Sequence, residues 1–283
     1  MDAANEDGKR FVMKENFTMD ELLALMDYLR SDQGCPWDRV QTHESIQGNM
    51  LEEAYEAVDA IQSGDPAKLC EELGDVLMQV VFHADIAEEE GSFDFQDVVS
   101  GLCRKLISRH THLFGDDEAT TPEMDLRTWE KNKKIEKGHE STTESMRAIP
   151  LAMPALTRAY KLQKKAADVG FDWSSPDGAR KKILEELGEL LDEAGYGDKE
   201  RIRQEAGDLL FAAVNLLRLL GVDPEAALTD GSQRFIRRFD AMEKLAKQEG
   251  NALAGMELEA MDALWDRVKR CESGTGEDKG HEA

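Results

Sequence analysis

The sequence predicts an all-α protein made of two tandem copies of one helical domain. Charged residues make up 33% of the 283 residues and aromatic residues only 6%, a composition that favours helices over strands. Residues 51–81 and 184–214 align at one offset, because 184 − 51 and 214 − 81 both equal 133, and 12 of the 31 aligned pairs are identical. Matched glycine, acidic and apolar positions at a single offset indicate an internal duplication. The length also suits two domains of roughly 150 residues.

In the first domain, predicted over 17–137, capping and breaker residues delimit the helices. Thr18 and Glu21 form a capping box at the start of the first helix. Gly34–Asp38 is predicted as a turn. Ser63–Pro66, which is rich in helix-breaking residues, separates two long acidic helices. The predicted helices cover residues 19–29, 46–62, 67–89, 95–110 and 124–136.

The second domain, predicted over 155–271, repeats this order after a linker at 138–154 that is rich in Ser, Thr and Pro. Gly170–Trp173 is predicted as a turn that matches Gly34–Asp38. The two polar ends, residues 1–16 and 272–283, are expected to be mobile or disordered. The predicted helices of this half cover residues 153–169, 177–193, 199–220, 224–248 and 258–271.

Each domain carries four acidic residues at helical spacing. They are Glu53, Glu56, Glu72 and Asp75 in the first copy and Glu186, Glu189, Glu205 and Asp208 in the second. Residues three apart share a helix face, and a short turn between antiparallel helices brings two such faces together. Converging carboxylates raise one another's pKa values, and divalent cations relieve the repulsion. Oxygen ligands without His or Cys select Mg²⁺, with Mn²⁺ as a substitute.

The ordinary alternative is that these acids are a solvated helix surface, which is the usual place for acidic residues on amphipathic helices. Gly74 and Gly207 weigh against it, because each lies in the middle of an acidic helix. Glycine there costs about 1 kcal/mol relative to alanine. The two glycines therefore predict that another group or helix approaches closely at these positions.

Basic and aromatic residues follow each acidic set in the same order. Arg234 and Arg238 share a helix face and, with Lys269, are suited to neutralise phosphate oxygens. Trp265 is suited to stack on a base. The matching residues of the first domain are Lys105, Arg109, Trp129 and Lys133. The alternative interpretation of these residues is that the charged side chains lie on the solvated surface and the tryptophans belong to the core.

The formal net charge of −24 opposes binding to duplex nucleic acid, where Lys and Arg must replace condensed counterions. It likewise opposes binding to an anionic membrane. The four cysteines form no C-x-x-C pair, and the first residues do not resemble a signal peptide. The longest apolar run, 209–220, is interrupted by polar residues and too short to span a bilayer. We therefore expect a soluble protein in the reducing cytoplasm.

The combined motifs resemble those of the all-α nucleoside triphosphate pyrophosphohydrolases, and most of all the two-domain MazG proteins. The matching motifs of the first half are Gly34-Cys-Pro-Trp-Asp38, Asn49-Met-Leu-Glu-Glu-Ala-Tyr-Glu56, Glu72-Leu-Gly-Asp75 and His110-Thr-His-Leu-Phe114. Those of the second half are Gly207-Asp-Leu-Leu-Phe211, Asn215-Leu216 and Phe235-Ile-Arg-Arg-Phe239. The resemblance covers roughly residues 17–271.

This resemblance implies tandem four-helix-bundle-type domains completed by homodimerisation. It also implies Mg²⁺-dependent hydrolysis of nucleoside triphosphates to monophosphate and pyrophosphate, with catalysis in the C-terminal half. Arg201 and Arg234 stand where relatives often have Lys, which keeps the charge and changes the hydrogen-bond geometry. The implied metal ligands are Glu186, Glu189, Glu205 and Asp208, the implied catalytic residues add Arg238 and Lys269, and the implied substrate contacts are Arg201, Arg234, Arg238, Trp265 and Lys269.

Several alternatives stay open at this point. Glu53, Glu56, Glu72 and Asp75 form either a second active site or the metal-binding remnant of a dimerisation module. The leading function is a hydrolase of NTPs and dNTPs with broad base tolerance. Its competitors are a hydrolase selective for one nucleotide, such as dUTP or an oxidised purine triphosphate, and a module that senses Mg-nucleotide without turnover. A carboxylate-bridged redox metal protein is disfavoured because paired Glu-x-x-His motifs are missing from the sequence.

Overall fold

The computed structural model describes residues 11–115 and 141–274 and, between these ranges, residues 121, 124, 128, 129, 132 and 136. All regular secondary structure in the described residues is α-helical, which confirms the all-α prediction. The chain divides into two compact units, residues 1–137 and 138–283. Most of the predicted helix over 124–136, most of the predicted tail over 272–283 and residues 1–10 lie outside the described residues.

The described part of the first unit contains six helices. They are α1 (Met19–Arg30), α2 (Pro36–Arg39), α3 (His43–Ser63), α4 (Pro66–Glu89), α5 (Phe95–Arg109) and α6 (Thr111–Phe114). The segment predicted as a turn contains α2, which begins at Pro36, since proline is suited to the first helical position. α3 begins three residues earlier than predicted, because the side chain of Thr42 accepts a hydrogen bond from the backbone N–H of Ser45.

A two-residue turn closes the hairpin of α3 and α4. Gly64 has a φ of 70°, a left-handed conformation that glycine adopts without steric cost. Asp65 then caps α4, accepting hydrogen bonds from the backbone N–H groups of Ala67 and Lys68. The breaker residues of this segment therefore set the hairpin that brings the two acidic helices side by side.

The core of the first unit lies where α1 and α3 meet α4. Its buried residues are Met26, Ile46, Val81, Phe82 and Ile86. Arg30, which is 3% exposed, lies beside this core, with Nε 2.8 Å from the Asp85 carboxylate and Nη2 2.5 Å from that of Glu89. Its Nη1 donates to the carbonyl oxygen of Asp38 at 2.7 Å. One buried guanidinium thus joins α1, α2 and α4.

The described part of the second unit also contains six helices. They are α7 (Thr142–Arg147), α8 (Ala155–Ala167), α9 (Pro176–Tyr196), α10 (Lys199–Leu219), α11 (Pro224–Gln248) and α12 (Leu258–Gly274). The segment predicted as a linker contains α7, because Ser141 and Glu144 form a capping box there. α7 packs against α8 and so belongs to the second unit.

Two helical hairpins build the second unit. The first joins α9 and α10 through Gly197, with a φ of 82°, and Asp198, which caps α10. These residues stand 133 positions after Gly64 and Asp65, so both copies use the same turn. The second hairpin packs α11 on α12 around the buried residues Met242, Ala246, Leu264 and Val268. No described helix has an apolar stretch long enough to cross a lipid bilayer.

Both acidic hairpins expose apolar side chains at matching positions. On α9, Leu184, Leu187 and Leu191 are exposed, at the i, i+3, i+7 spacing of one helix face. On α3, Leu51 and Val58 are exposed, 133 positions before Leu184 and Leu191. A face of this kind ordinarily lies against another apolar surface.

Candidate functional site

Three carboxylates converge in the second unit at the hairpin of α9 and α10. Oxygen atoms of Glu186, Glu205 and Asp208 lie within 4.8 Å of one another. Glu186 comes from α9, whereas Glu205 and Asp208 lie three apart on α10 and so share one face. Glu186 is 4% exposed, Glu205 is half-buried and Asp208 is exposed. The cluster therefore opens to solvent on the α10 side.

Lys182 lies one turn before the buried carboxylate of this cluster. Its Nζ is 2.5 Å from Oε1 of Glu186 and 2.8 Å from Oε1 of Glu185. The hydrogen bonds to Glu185 and Glu186 raise the pKa of Lys182 well above its ordinary value, so the ammonium group stays charged beside the cluster. The sequence-based prediction missed this residue, although Lys and Glu four apart on a helix are a recognisable pair. The equivalent position of the first unit is Asn49 (182 − 133).

Glu189, the remaining predicted ligand, lies outside the group of three oxygen atoms. Its carboxyl is still coupled to them. Loss of hydration, and then the charges of Glu186 and Glu205, raise the pKa of Glu189. The structure thus brings three of the four predicted acids of this unit together and leaves the fourth within their electric field.

The first unit has a related cluster made from a different three of its four predicted acids. Oxygen atoms of Glu53, Glu56 and Glu72 lie within 4.8 Å of one another. Burial, and then the charge of Glu56, raise the pKa of Glu72. Burial, and then the charge of Asp75, raise the pKa of Glu53. Asp75 therefore raises the pKa of one cluster member although it lies outside the group of three.

The donor sets of both clusters fit a divalent metal ion. All the converging atoms are carboxylate oxygens, the ligands that hard divalent cations take in proteins. Burial, and then the charges of neighbouring carboxylates, raise the pKa values of Glu53, Glu72 and Glu189. A divalent cation would supply compensating positive charge, so each cluster could hold one.

Gly74 and Gly207 do not have the close neighbours that the sequence led us to expect. Apart from its chain neighbours and the nearby backbone of its own helix, a Cβ atom built at either residue would meet no atom of the described residues within 4 Å. Both residues are exposed on the acidic helices. Among the described residues, the prediction of a close approach at these glycines is therefore wrong.

The predicted phosphate-binding residues are held mainly on the second hairpin. Nε of Arg238 on α11 donates to Oε2 of Glu272 on α12 at 2.7 Å, and Nζ of Lys269 is 2.8 Å from Asp266. Arg234 lies exposed on α11, one turn before Arg238. The basic residues are thus ordered within the hairpin of α11 and α12, whereas the three acids belong to that of α9 and α10.

Arg201 and Trp265 complete the predicted substrate contacts. Arg201 lies in the first turn of α10, one turn before Glu205, and its Nη1 donates to Glu193 at 3.1 Å. Trp265 packs against the core of the α11–α12 hairpin, with its ring centroid 5.3 Å from that of Phe235. In the first unit, Lys133 lies outside the described residues.

A cavity of about 470 Å³ lies beside α10 and was not predicted from the sequence. Phe171, Trp173 and Phe211 give it aromatic walls. Gln163, which is 6% exposed, also lines it and donates from Nε2 to the carbonyl oxygen of Phe211 at 2.7 Å. Its Oε1 is buried and has no hydrogen-bond partner among the described residues. A buried amide oxygen of this kind is costly without a donor, so the cavity is suited to a ligand that carries an N–H group.

The cavity lies further along α10 than the acidic cluster. Phe211 and Asn215 line it and follow Asp208 by three and seven residues, which places all three on one helix face. At a rise of 1.5 Å per residue, the cavity lies roughly 5–10 Å along the axis from Asp208. No periodicity in the sequence reveals it, because it forms where α8, α10 and the segment 170–173 meet.

Two segments of the chain, residues 41–114 and 174–246, match the MazG nucleotide pyrophosphohydrolase domain. A Thermotoga maritima protein named nucleoside triphosphate pyrophosphohydrolase/pyrophosphatase MazG is 44% identical over 258 residues, covering 91% of this chain and 98% of the relative. The nucleoside triphosphate pyrophosphohydrolase of Escherichia coli K12 is 42% identical over 257 residues, covering 90% and 98%. A crystal structure of a mazG-related protein from T. maritima covers 41% of this chain and 99% of its own at 26% identity, with a TM-score of 0.35 that is too low to bear on the fold.

The two matched segments coincide with the two acidic clusters. Residues 41–114 include Glu53, Glu56 and Glu72, and residues 174–246 include the three converging acids of the second unit. The match therefore occurs twice, as the internal repeat requires, and the relatives cover nearly the whole chain. This chain belongs to the MazG nucleotide pyrophosphohydrolase family.

Proposed function

We propose that this chain is an enzyme that hydrolyses nucleoside triphosphates to nucleoside monophosphates and pyrophosphate, with Mg²⁺ as cofactor and broad tolerance for the base. The observation that carries the proposal is the convergence of Glu186, Glu205 and Asp208 beside an aromatic cavity on the same helix. Relatives at 42–44% identity over about nine-tenths of the chain carry the name of this activity.

In this proposal, the chain's own residues position the substrate and balance its charge. Glu186, Glu205 and Asp208 would hold the cation, Glu189 stays the predicted fourth ligand, and Lys182 orients the carboxylate of Glu186. A divalent cation held there would supply positive charge for phosphate oxygens and would activate water. Arg201, Arg234, Arg238 and Lys269 neutralise the remaining phosphate oxygens through charge-assisted hydrogen bonds.

The same proposal includes a homodimer in the cytoplasm, where nucleoside triphosphates are abundant. Two features of the second unit support the dimer. The acids and most of the basic residues lie on different hairpins, so a second chain is a natural source of one set. Leu184, Leu187 and Leu191 also form an exposed apolar face on α9, which a second copy would cover. The working domains would be residues 17–137 and 155–271, with 138–154 between them.

The cavity accounts for broad base tolerance if it receives the nucleoside. Its volume lies within the usual range for small-molecule sites, and its aromatic walls suit any flat base. Nε2 of Gln163 is engaged by Phe211, so the group left for the ligand is an acceptor, Oε1. Every common base has at least one N–H donor, so a single acceptor admits all of them.

The test of the proposed function is product analysis by HPLC across the common NTPs and dNTPs. We expect monophosphate and pyrophosphate from most of them in Mg²⁺, and none when EDTA removes the metal. Diphosphate and inorganic phosphate as products would contradict the proposal. Thermal stabilisation by nucleotide without turnover would favour the sensing module, turnover of one nucleotide alone would favour a selective hydrolase, and stoichiometric iron would revive the redox alternative.

Replacing Gln163 by leucine should raise KM for every base to a similar extent. The variant removes one neutral hydrogen bond, worth about 0.5–1.5 kcal/mol, and so should raise KM roughly 2- to 12-fold with kcat little changed. Trp265→Leu is the matched comparison, because the sequence predicts that Trp265 lies beside the base. A raised KM in Trp265→Leu with an unchanged KM in Gln163→Leu would show that the base binds at the α11–α12 hairpin and not in the cavity.

A further inference from the structure

One ion pair is present in both units and has no part in the roles proposed so far. In the second unit, Nε of Arg238 donates to Oε2 of Glu272 at 2.7 Å. In the first, Nε of Arg109 donates to Oε2 of Glu136 at 2.8 Å. The arginines are 129 positions apart (238 − 109) and the glutamates 136 (272 − 136), the offsets of the repeated basic and tryptophan motifs around them. The two copies therefore keep the same contact between the same atoms.

The two pairs differ in how fully the guanidinium is enclosed. The Arg109 side chain is 8% exposed, its Nη2 also donates to Oε1 of Glu136 at 3.1 Å, and its guanidinium carbon lies 5.2 Å from the centre of the Trp129 ring. The Arg238 side chain is 29% exposed. Within the described residues, no hydrogen bond engages its Nη1 or Nη2. The guanidinium of Arg109 is thus fully engaged inside its unit, whereas Arg238 leaves its Nη1 and Nη2 groups available to a ligand.

We propose that Glu272 is a positioning residue for Arg238. The inference rests on the proposed function, in which Arg238 contacts phosphate. An arginine has several rotatable bonds, and its value to a phosphate depends on the orientation of the guanidinium fork. By accepting from Nε, Glu272 fixes the plane of the guanidinium before substrate arrives. The two Nη groups then remain for non-bridging phosphate oxygens.

A double-mutant cycle tests whether Glu272 acts through Arg238. The variants are Glu272→Leu, Arg238→Lys and the double variant, assayed for kcat/KM with ATP and Mg²⁺. We expect each single variant to lose roughly 10- to 100-fold, as displaced catalytic groups do, and the double variant to lose no more than Arg238→Lys alone. Glu272→Gln, which keeps an acceptor oxygen, should recover part of the loss. Losses that multiply in the double variant, or no loss in Glu272→Leu, would overturn the inference.

The matched control is Glu136→Leu, which breaks the equivalent pair in the first unit. We expect a lower melting temperature, because that pair is more enclosed, and an unchanged kcat/KM. If this control loses as much kcat/KM as Glu272→Leu, the effect belongs to broken ion pairs in general and the inference fails.

The cycle is also measured as Kd for α,β-methylene-ATP with Mg²⁺, a readout that does not need turnover. A wild type that binds the analogue and releases no pyrophosphate from ATP contradicts the proposed function but still tests Glu272. A normal wild type whose variants behave additively in Kd and kcat/KM contradicts the inference alone. Absence of both binding and turnover contradicts both.

Discussion

Replacing Glu205 by glutamine should reduce pyrophosphate release about 100-fold or more. The change keeps the shape of the side chain and removes one of three converging negative charges. Charge stabilisation by a metal site is worth several kcal/mol, and each 1.4 kcal/mol is about tenfold in rate. The measurement is kcat/KM for ATP at saturating Mg²⁺. Activity equal to that of wild type would show that the acidic cluster of α9 and α10 takes no part in the reaction.

Two controls separate this loss from misfolding and assign it to one unit. Without divalent metal, Glu205→Gln should melt no lower than wild type, since it removes a negative charge that, after burial and the charge of Glu186, raises the pKa of Glu189. The matched variant is Glu72→Gln, at the position 133 residues earlier. The ratio of the two activity losses shows which cluster turns over substrate, and equal losses would make both clusters catalytic.

Replacing Arg30 by methionine should destabilise the first unit by about 3–5 kcal/mol, as removing one partner of a buried ion pair does. Arg30 is 3% exposed and contacts Asp85, Glu89 and the carbonyl oxygen of Asp38. Burial raises the pKa of Asp85 even though the Arg30 charge lowers it. Without Arg30, the half-buried carboxyl of Asp85 loses its compensating charge, and α1, α2 and α4 lose the side chain that joins them.

The measurement for Arg30 is the free energy of unfolding from urea titration of the full chain, with the transition of the first unit resolved. Arg39→Met is the control within the same unit. The pair of Arg39 with Asp32 is exposed, and exposed pairs contribute about 0–1 kcal/mol. Equal destabilisation by the two variants would show that burial of Arg30 is not what matters.

The hairpins could be predicted from the sequence because their signals are local. Gly64 and Gly197 end one helix and an aspartate caps the next, and each step depends on neighbours within a few residues. α2 and α7 were missed for the opposite reason. Each is short and lies in a segment whose proline or serine content also suits a turn or linker, and packing decides between these outcomes.

The acidic residues of the site could be predicted, but not which three converge. Spacing of three places Glu186 with Glu189, and Glu205 with Asp208, on shared faces. It leaves undetermined how far each helix is rotated about its axis. Packing sets that rotation, and it differs between the units, since Asp208 joins its cluster whereas Asp75 does not. The cavity beside Gln163 was beyond prediction because its walls come from segments far apart in the chain.

The turn at Gly197 and Asp198 has a consequence for how the protein folds. The three converging acids of the second unit come from one stretch between Glu186 and Asp208, and closing so short a loop costs little chain entropy. Contacts this local form early in folding, before the distant parts of either unit have met. The converging charges oppose that early closure, and divalent cations remove the opposition. A divalent cation that serves the proposed reaction would then also speed the folding of the second unit.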